Sequence, residues 1–240
     1  MKHDYSFLKD SLQDYGFELT EEMSDKLDIF YELLVEKNKV MNLTGITEFD
    51  EVLVKHYLDS ISICQIIDSD KIHTVLDLGT GAGFPGMPLA ICFPNIQFTL
   101  MDSLNKRILF LQEVVDALGI TNVTLVHGRA EEAARNRIYR EKFDVCVSRA
   151  VANISTLMEY CLPFVKVGGQ FISYKSGSID DEIASSGNAA RLLGGKIENP
   201  FYFKLKNTDI DRSFVIVNKV AATVKTYPRK AGTPSKEPLC

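Results

Sequence analysis

The sequence predicts an α/β fold: a mostly parallel sheet that closes in an antiparallel hairpin and is preceded by a helical cap. Three observations carry this. From Thr74 to Lys175 short apolar runs alternate with helix-length segments, the pattern of right-handed crossovers between parallel strands. Two later runs, "NPFYFKLK" and "RSFVIVNKV", follow one another across the polar turn Asn207 to Asp211 with no helix between them. The first seventy residues space their apolar groups as helices do.

In the cap, Thr20 ahead of Glu21 and Glu22 reads as an N-cap followed by acids at the positive end of a helix dipole, and Met23, Leu27, Phe30, Tyr31 and Leu34 then recur on one face. "NLTGIT" supplies turn chemistry before a second helical face, Phe49, Val52, Leu53, His56, Tyr57, Ser60, Ile61 and Cys64. A lone His on such a face reads as a hydrogen-bonded core residue. The strands are expected at 74–79, 96–102, 122–128, 143–150 and 169–175, and the closing "YPRKAGTPSKEPLC" as a loop or ordered tail. This divides the chain into a cap (1–70), a ligand-binding core (71–220) and a basic tail packed on or near it (221–240).

Composition narrows the function classes. A chain of 240 residues with 45% hydrophobic content can bury a full core. It has neither a basic-then-apolar leader nor a run approaching eighteen apolar residues, so a cytoplasmic protein without membrane contact is expected. Five cysteines with no CxxC spacing, four of them in apolar segments, suit buried thiols in a reducing compartment rather than a disulfide or zinc framework. The net charge of −5 is uneven: residues 1–60 hold 14 acids against 6 Lys/Arg, whereas residues 219–240 hold five Lys/Arg against one acid. Such asymmetry permits a local basic surface on an acidic protein.

The densest signal is "VLDLGTGAGFPGMPLA", where Gly79, Gly81, Gly83 and Gly86 follow an apolar run. Residues 81–86 match the GxGxxG dinucleotide fingerprint, in which a helix N-terminus receives a pyrophosphate. Asp77, two residues before the first glycine, would repel a diphosphate and suits a positively charged ligand. Asp102 ends the next strand, 23 residues after Gly79, where a carboxylate can accept from ribose hydroxyls or simply cap the following helix. Ala130 and Glu131 follow the third strand, where an adenine edge is reached; Glu131 can instead be an ordinary first-turn acid, and a lone Phe such as Phe84 is more often a core residue packing the helix start.

The D-x-G-x-G-x-G spacing from Asp77 to Gly83 resembles motif I of the class I methyltransferases. With "MNLTGIT", "HYLDS", "MDSLNKRILFLQEV", "HGRAEE", "SRAV", "LMEYCLP" and "YPRKAGTPSKEPL" it forms an ordered series similar to the bacterial 16S ribosomal RNA guanine-N7 methyltransferases, the glucose-inhibited division protein B family. The resemblance covers nearly the whole chain. It implies a Rossmann-like class I methyltransferase core and S-adenosylmethionine as cofactor, with S-adenosylhomocysteine as product. It further implies cofactor contact at Gly79, Phe84, Ala130, Glu131 and Arg149, beside the Asp77, Gly81 and Asp102 of the glycine-turn reading. The implied partner is 16S rRNA or an assembling small subunit, met by a monomer. Guanine N7 carries an in-plane lone pair, so no general base and no metal are required, and alignment carries the reaction. Arg149 becomes a candidate for substrate positioning, its guanidinium paired with a carboxylate or turned toward phosphate. Lys106, Arg107, Lys175, Arg212, Arg229 and Lys230 are the candidates for RNA contact. Methylation of a small molecule or protein, a non-catalytic RNA-binding regulator and NAD-dependent oxidoreduction remain the alternatives.

Overall fold

The structure, a computed structural model, describes residues 2–149 and 152–239. Ala150 and Val151, the second half of "SRAV", lie outside the described residues, as do Met1 and Cys240. Helices α1 (Ser6–Gln13) and α2 (Glu21–Met41) open the chain. Thr20 Oγ1 accepts the Met23 N–H at 3.2 Å, and Leu27, Phe30, Tyr31 and Leu34 are buried from the face that periodicity predicts. Helix α1 is an addition to that expectation; with only Leu8, Ser11 and Leu12 buried, its two turns offer too few repeats to show a period.

The second helical pattern is irregular. α3 (Phe49–Val52) runs into a π-helical turn, Leu53–Leu58, and on into α4 (Asp59–Ile61). The wider turn sends the Asp59 N–H to the carbonyls of Val54 and His56, while the Lys55 carbonyl accepts from Arg149 Nη1 at 3.0 Å. π-turns of this kind are frequent at functional sites because they re-aim side chains within a helix.

The sheet follows: β1 (Thr74–Leu78), α5 (Gly86–Cys92), β2 (Gln97–Asp102), α6 (Asn105–Leu118), β3 (Val123–His127), α7 (Ala130–Ala133), β4 (Phe143–Ser148), α8 (Ile154–Cys161), β5 (Val165–Lys175), α9 (Asp180–Ala184), α10 (Gly187–Leu193), β6 (Gly195–Ile197), β7 (Phe201–Lys204), β8 (Asp211–Lys219) and α11 (Thr233–Lys236). The spatial order is β3-β2-β1-β4-β5-β8-β6, with β7 also paired to β8. β1 to β5 are parallel and β8 lies antiparallel to β5. The predicted hairpin is present as β7 and β8, with Phe201 opposite Phe214 and Lys204 opposite Asp211. β6 is unforeseen: its three residues are too short to show alternation, yet they extend the same edge of β8, separated from β7 by a segment that contains Pro200. β5 also begins earlier than expected. Gly168 adopts φ +89°, and a Cβ on Gly169 would lie 2.4 Å from the Asp144 carbonyl, so two glycines carry the register shift opposite Phe143 and Val145.

The sheet separates two apolar clusters. The cap shares the first with α5 and α6, around Phe30, Tyr57, Phe84, Met87, Leu100 and Leu111. α8, α10 and the tail share the second, around Leu76, Met158, Phe164, Phe171 and Leu193. Among the described residues no helix is long and apolar enough to cross a membrane. The strand order reverses between β1 and β4, so the crevice beyond their carboxyl ends is where an open α/β sheet takes ligands.

Candidate active site

Two clefts open at that crevice and meet at Ala152. The first, about 370 Å³, runs over the ends of β1, β2 and β3 and is lined by Leu78, Gly79, Met101, Asp102, Arg107 and Gly128–Glu131, with Ser148, Leu157 and Tyr160 opposite. Its floor is the glycine turn. Gly79, Gly81 and Gly83 adopt φ of +76°, +61° and +102°, a region that side chains avoid. Gly86 is required for a different reason: a Cβ there would lie 2.6 Å from Asp77 Oδ2.

The turn spends its own donors. The N–H groups of Gly79 and Thr80 go to the Met101 carbonyl at 2.9 and 3.1 Å, and those of Gly83 and Phe84 both go to the Thr80 carbonyl at 2.9 Å. The Gly81 N–H goes to Asp102 Oδ2 at 2.9 Å and the Gly86 N–H to Asp77 Oδ2 at 2.8 Å. Phosphate binding at such turns relies on free N–H groups aimed at the anion. Here those donors are already engaged with carbonyls and carboxylates of the protein.

Each residue singled out from the sequence has a definite place. Asp102 stands in the cleft wall with its carboxylate nearly buried. Besides the Gly81 N–H it accepts from Leu104 N–H at 2.8 Å and Arg107 Nη1 at 3.1 Å, so it fixes the turn that leads into α6 and lines the cleft at once. Of a carboxylate's roughly four acceptor positions, three are taken. Gly79, Ala130 and Glu131 line the same cleft, and Glu131 Oε1 accepts the Gly232 N–H of the tail at 3.0 Å. Asp77 is buried beneath the turn, where it caps the start of α5 and does not line the cleft. Burial pushes its carboxyl up to about 6. Gly81 contributes its N–H to Asp102 and is likewise outside the lining. Phe84 points into the cap's core, stacked on His56 with ring centroids 4.2 Å apart and beside Phe30 at 5.3 Å.

The second cleft, about 550 Å³, lies over the ends of β4 and β5 and the start of β8, lined by Asp59, Arg149, Asn153, Tyr174, Lys175, Glu182 and Arg212, among others. The carboxylate partner anticipated for Arg149 is Asp59. Arg149 Nη1 donates to Asp59 Oδ2 at 3.0 Å, and Arg212 Nε to Asp59 Oδ1 at 2.7 Å, so one buried carboxylate holds two guanidiniums. Arg149 also lies over the Phe84 ring at 5.2 Å and reaches His56 Nδ1 at 3.2 Å, while His56 Nε2 meets Thr44 Oγ1 at 2.9 Å. Burial, then the charge of Arg149, lowers the His56 pKa to about 3, so the ring is a neutral spacer between Arg149, the Lys55 carbonyl and Thr44.

Among the six basic residues picked out for RNA contact, four have charges already engaged by the fold. Arg107 pairs with Asp102, Arg212 with Asp59, and Lys175 with Glu182 at 3.0 Å. Arg229 needs a correction as a free RNA contact: its Nε and Nη2 grip the fully buried Glu159 at 2.7 to 3.1 Å, and its N–H adds a further bond to the same carboxylate. That charge anchors the tail. Lys106 and Lys230 are exposed and make no ion pair among the described residues. Asp59 and Glu182 escaped sequence reasoning. Asp59 sits inside the recognisable block "HYLDS", but Glu182, in "DDEI", carries no local signal.

The comparisons with known proteins agree with this geometry. The family model described as GidB, rRNA small subunit methyltransferase G, matches residues 23–211. A protein named ribosomal RNA small subunit methyltransferase G from Lachnoclostridium phytofermentans is 48% identical over 239 residues, covering 100% of this chain and 98% of its own. One of the same name from Brevibacillus brevis is 49% identical over 224 residues, covering 93% and 94%. Among solved structures, M. jannaschii TYW2 in complex with AdoMet superposes with a TM-score of 0.54 at 14% identity over 73% of this chain and 80% of that one. TrmN from Thermus thermophilus gives 0.51 at 13% over 70% and 53%. These structural likenesses establish the fold, a class I methyltransferase sheet. By sequence, the chain belongs to the small-subunit ribosomal RNA methyltransferase G family.

Proposed function

We propose that this protein transfers a methyl group from S-adenosylmethionine to N7 of a guanine in 16S ribosomal RNA, releasing S-adenosylhomocysteine. One observation carries the choice of cofactor: the turn after β1 gives the N–H groups of Gly79, Thr80, Gly81, Gly83, Phe84 and Gly86 to protein acceptors, and Asp102 and Glu131 line the cleft beside it. A dinucleotide's diphosphate would find most of the turn's donors taken, and at Asp102 a carboxylate whose charge opposes it. A nucleoside that bears a cation and no phosphate fits.

In this reading Asp102 offers its remaining acceptor position on Oδ1 to a ribose hydroxyl, and Ala130 and Glu131 border the base. Gly79, exposed and bare, lets the ligand approach the backbone. Asp77 and Gly81 act from below by fixing the turn, and Phe84 with His56 supports Arg149 at the boundary between the clefts. Bound there, the cofactor would supply a sulfonium methyl as the electrophile, its C–S bond yielding to the in-plane lone pair of guanine N7. No proton has to move, so the residues of this chain contribute alignment and a preorganised polar wall. Arg149 holds the substrate side of that wall, and Lys106 and Lys230, with the outer atoms of Lys175 and Arg212, supply the charges for RNA phosphate. A ribosomal RNA substrate places the activity in the bacterial cytoplasm.

The experiment is mass mapping of 16S rRNA from a strain lacking the gene, followed by restoration with purified protein and methyl-labelled cofactor. The reading expects one 7-methylguanosine to vanish and return. Label that enters no ribosomal RNA overturns it.

A further inference from the structure

We infer that the second cleft seats the target nucleotide and that Glu182 reads its Watson–Crick edge, an inference that rests on the function proposed above. The cleft adjoins the first through Ala152 and, at about 550 Å³, has room for a purine nucleoside. Arg149, Lys175 and Arg212 outnumber Asp59 and Glu182 there by one charge, the complement of one phosphodiester. Arg212 Nε is held by Asp59 and its Nη1 by the Asp211 carbonyl at 3.0 Å, while Nη2 donates to nothing among the described residues.

The two carboxylates of this cleft differ in what they have left to offer. Asp59 is 4% exposed and has given one oxygen to each arginine. Glu182 has given only one: Oε1 accepts the Ile154 N–H at 2.7 Å and Lys175 Nζ at 3.0 Å, and Lys175 is itself held by the Ala152 carbonyl at 2.8 Å. Oε2 accepts nothing among the described residues, and the side chain is 23% exposed. A carboxylate oxygen is acceptor-only. Guanine presents adjacent N1–H and 2-amino donors on one edge; adenine and cytosine place a ring acceptor beside their amino group, and uracil flanks its single N–H with carbonyls. An unpaired carboxylate oxygen therefore selects guanine, and recognition of an extruded base along this edge leaves N7 on the opposite side of the ring. The same negative charge favours a purine that becomes cationic on methylation.

The test is an enzyme–substrate cycle on small-subunit particles carrying guanosine, inosine or 2-aminopurine ribonucleoside at the methylated position, with wild type and Glu182→Gln. Inosine lacks the 2-amino group and 2-aminopurine lacks N1–H. Glutamine keeps a carbonyl oxygen for the Ile154 N–H. Wild type is expected to lose roughly tenfold or more in kcat/KM on at least one analogue. Glu182→Gln is expected to lose a similar factor on guanosine, to treat that analogue and guanosine alike, and to keep its affinity for S-adenosylhomocysteine within about twofold. The inference is overturned if wild type shows no preference against either analogue, a result independent of any variant, or if Glu182→Gln retains the wild-type preference. Failure of wild type to methylate guanosine removes the functional reading itself, and this inference with it.

Discussion

The two clefts that meet at Ala152 are made of different materials. The first joins the backbone at Gly79 and Gly128 to the apolar groups of Leu78, Met101, Leu157 and Tyr160 and to two separate carboxylates, Asp102 and Glu131, each in use on its protein side. The second is a network of charged side chains in which Asp59 bridges Arg149 and Arg212 and Lys175 ties Glu182 to Ala152. A wall built on strand ends and a hydrogen-bonded glycine turn has little freedom to rearrange and suits a ligand that never varies. A charged network can exchange partners, and an incoming phosphate or base edge can take the place of an internal one. The first cleft should therefore respond to mutation through ligand affinity and the second through stability and turnover.

The sharpest way to break this contrast is Asp59→Ala, which leaves two neighbouring guanidiniums without their shared carboxylate. Loss of one member of a buried ion cluster costs ~3–5 kcal/mol, reduced here to about 3 because both arginines keep some solvent access. Urea unfolding should show that loss while the affinity for S-adenosylhomocysteine changes less than threefold. A stability change below ~1 kcal/mol would mean that the network is loose.

Asp77, beneath the glycine turn and outside the cleft lining, is tested through pH. Its folded pKa of about 6 lies above an ordinary carboxyl near 3.9, so its protonated form is the one the fold favours. That contribution is fully present below about pH 4 and is lost as the pH rises through 6, amounting to about 2 kcal/mol. Asp77→Asn keeps an acceptor for the Gly86 N–H but carries no charge. Wild type should therefore lose about that much relative to the variant between pH 4 and 7, and a constant gap in denaturation midpoints across this range would contradict the assignment.

How much of this contrast was legible beforehand follows from how each cleft is assembled. The first comes from consecutive strand ends, so Asp77, Gly79, Asp102 and Glu131 announce themselves by spacing, as do the sheet and its terminal hairpin. Even so, spacing cannot tell a lining residue from a supporting one. Asp77 and Phe84 sit in the right segment, yet one caps α5 from below and the other packs into the cap. The second cleft joins residues 59, 149, 175, 182 and 212, brought together by a π-turn and by the return of β8 alongside β5. No local pattern encodes such a meeting. Charge counting misleads for the same reason: Arg229 looks like surface until the fold sets it on Glu159.

Smaller effects are expected at Asp102, Lys230 and Arg229. Asp102→Ala removes the acceptor assigned to the ribose and should weaken S-adenosylhomocysteine binding about tenfold, ~1.4 kcal/mol by calorimetry. An unchanged dissociation constant would reject that role. Lys230→Glu should slow methyl transfer to small-subunit RNA a few-fold at low salt and hardly at all at high salt, the behaviour of a screened phosphate contact. Arg229→Glu should instead loosen the tail and lower stability at every salt concentration, because it faces a buried carboxylate.

The most direct measurement is a crystal structure of the protein with S-adenosylhomocysteine. The ligand is expected along Gly79, Asp102 and Glu131, its ribose on the Asp102 carboxylate, with Asp59 still bridging Arg149 and Arg212. A ligand seated among Arg149, Lys175 and Arg212 instead, or a first cleft that admits NAD and not the thioether, would contradict it.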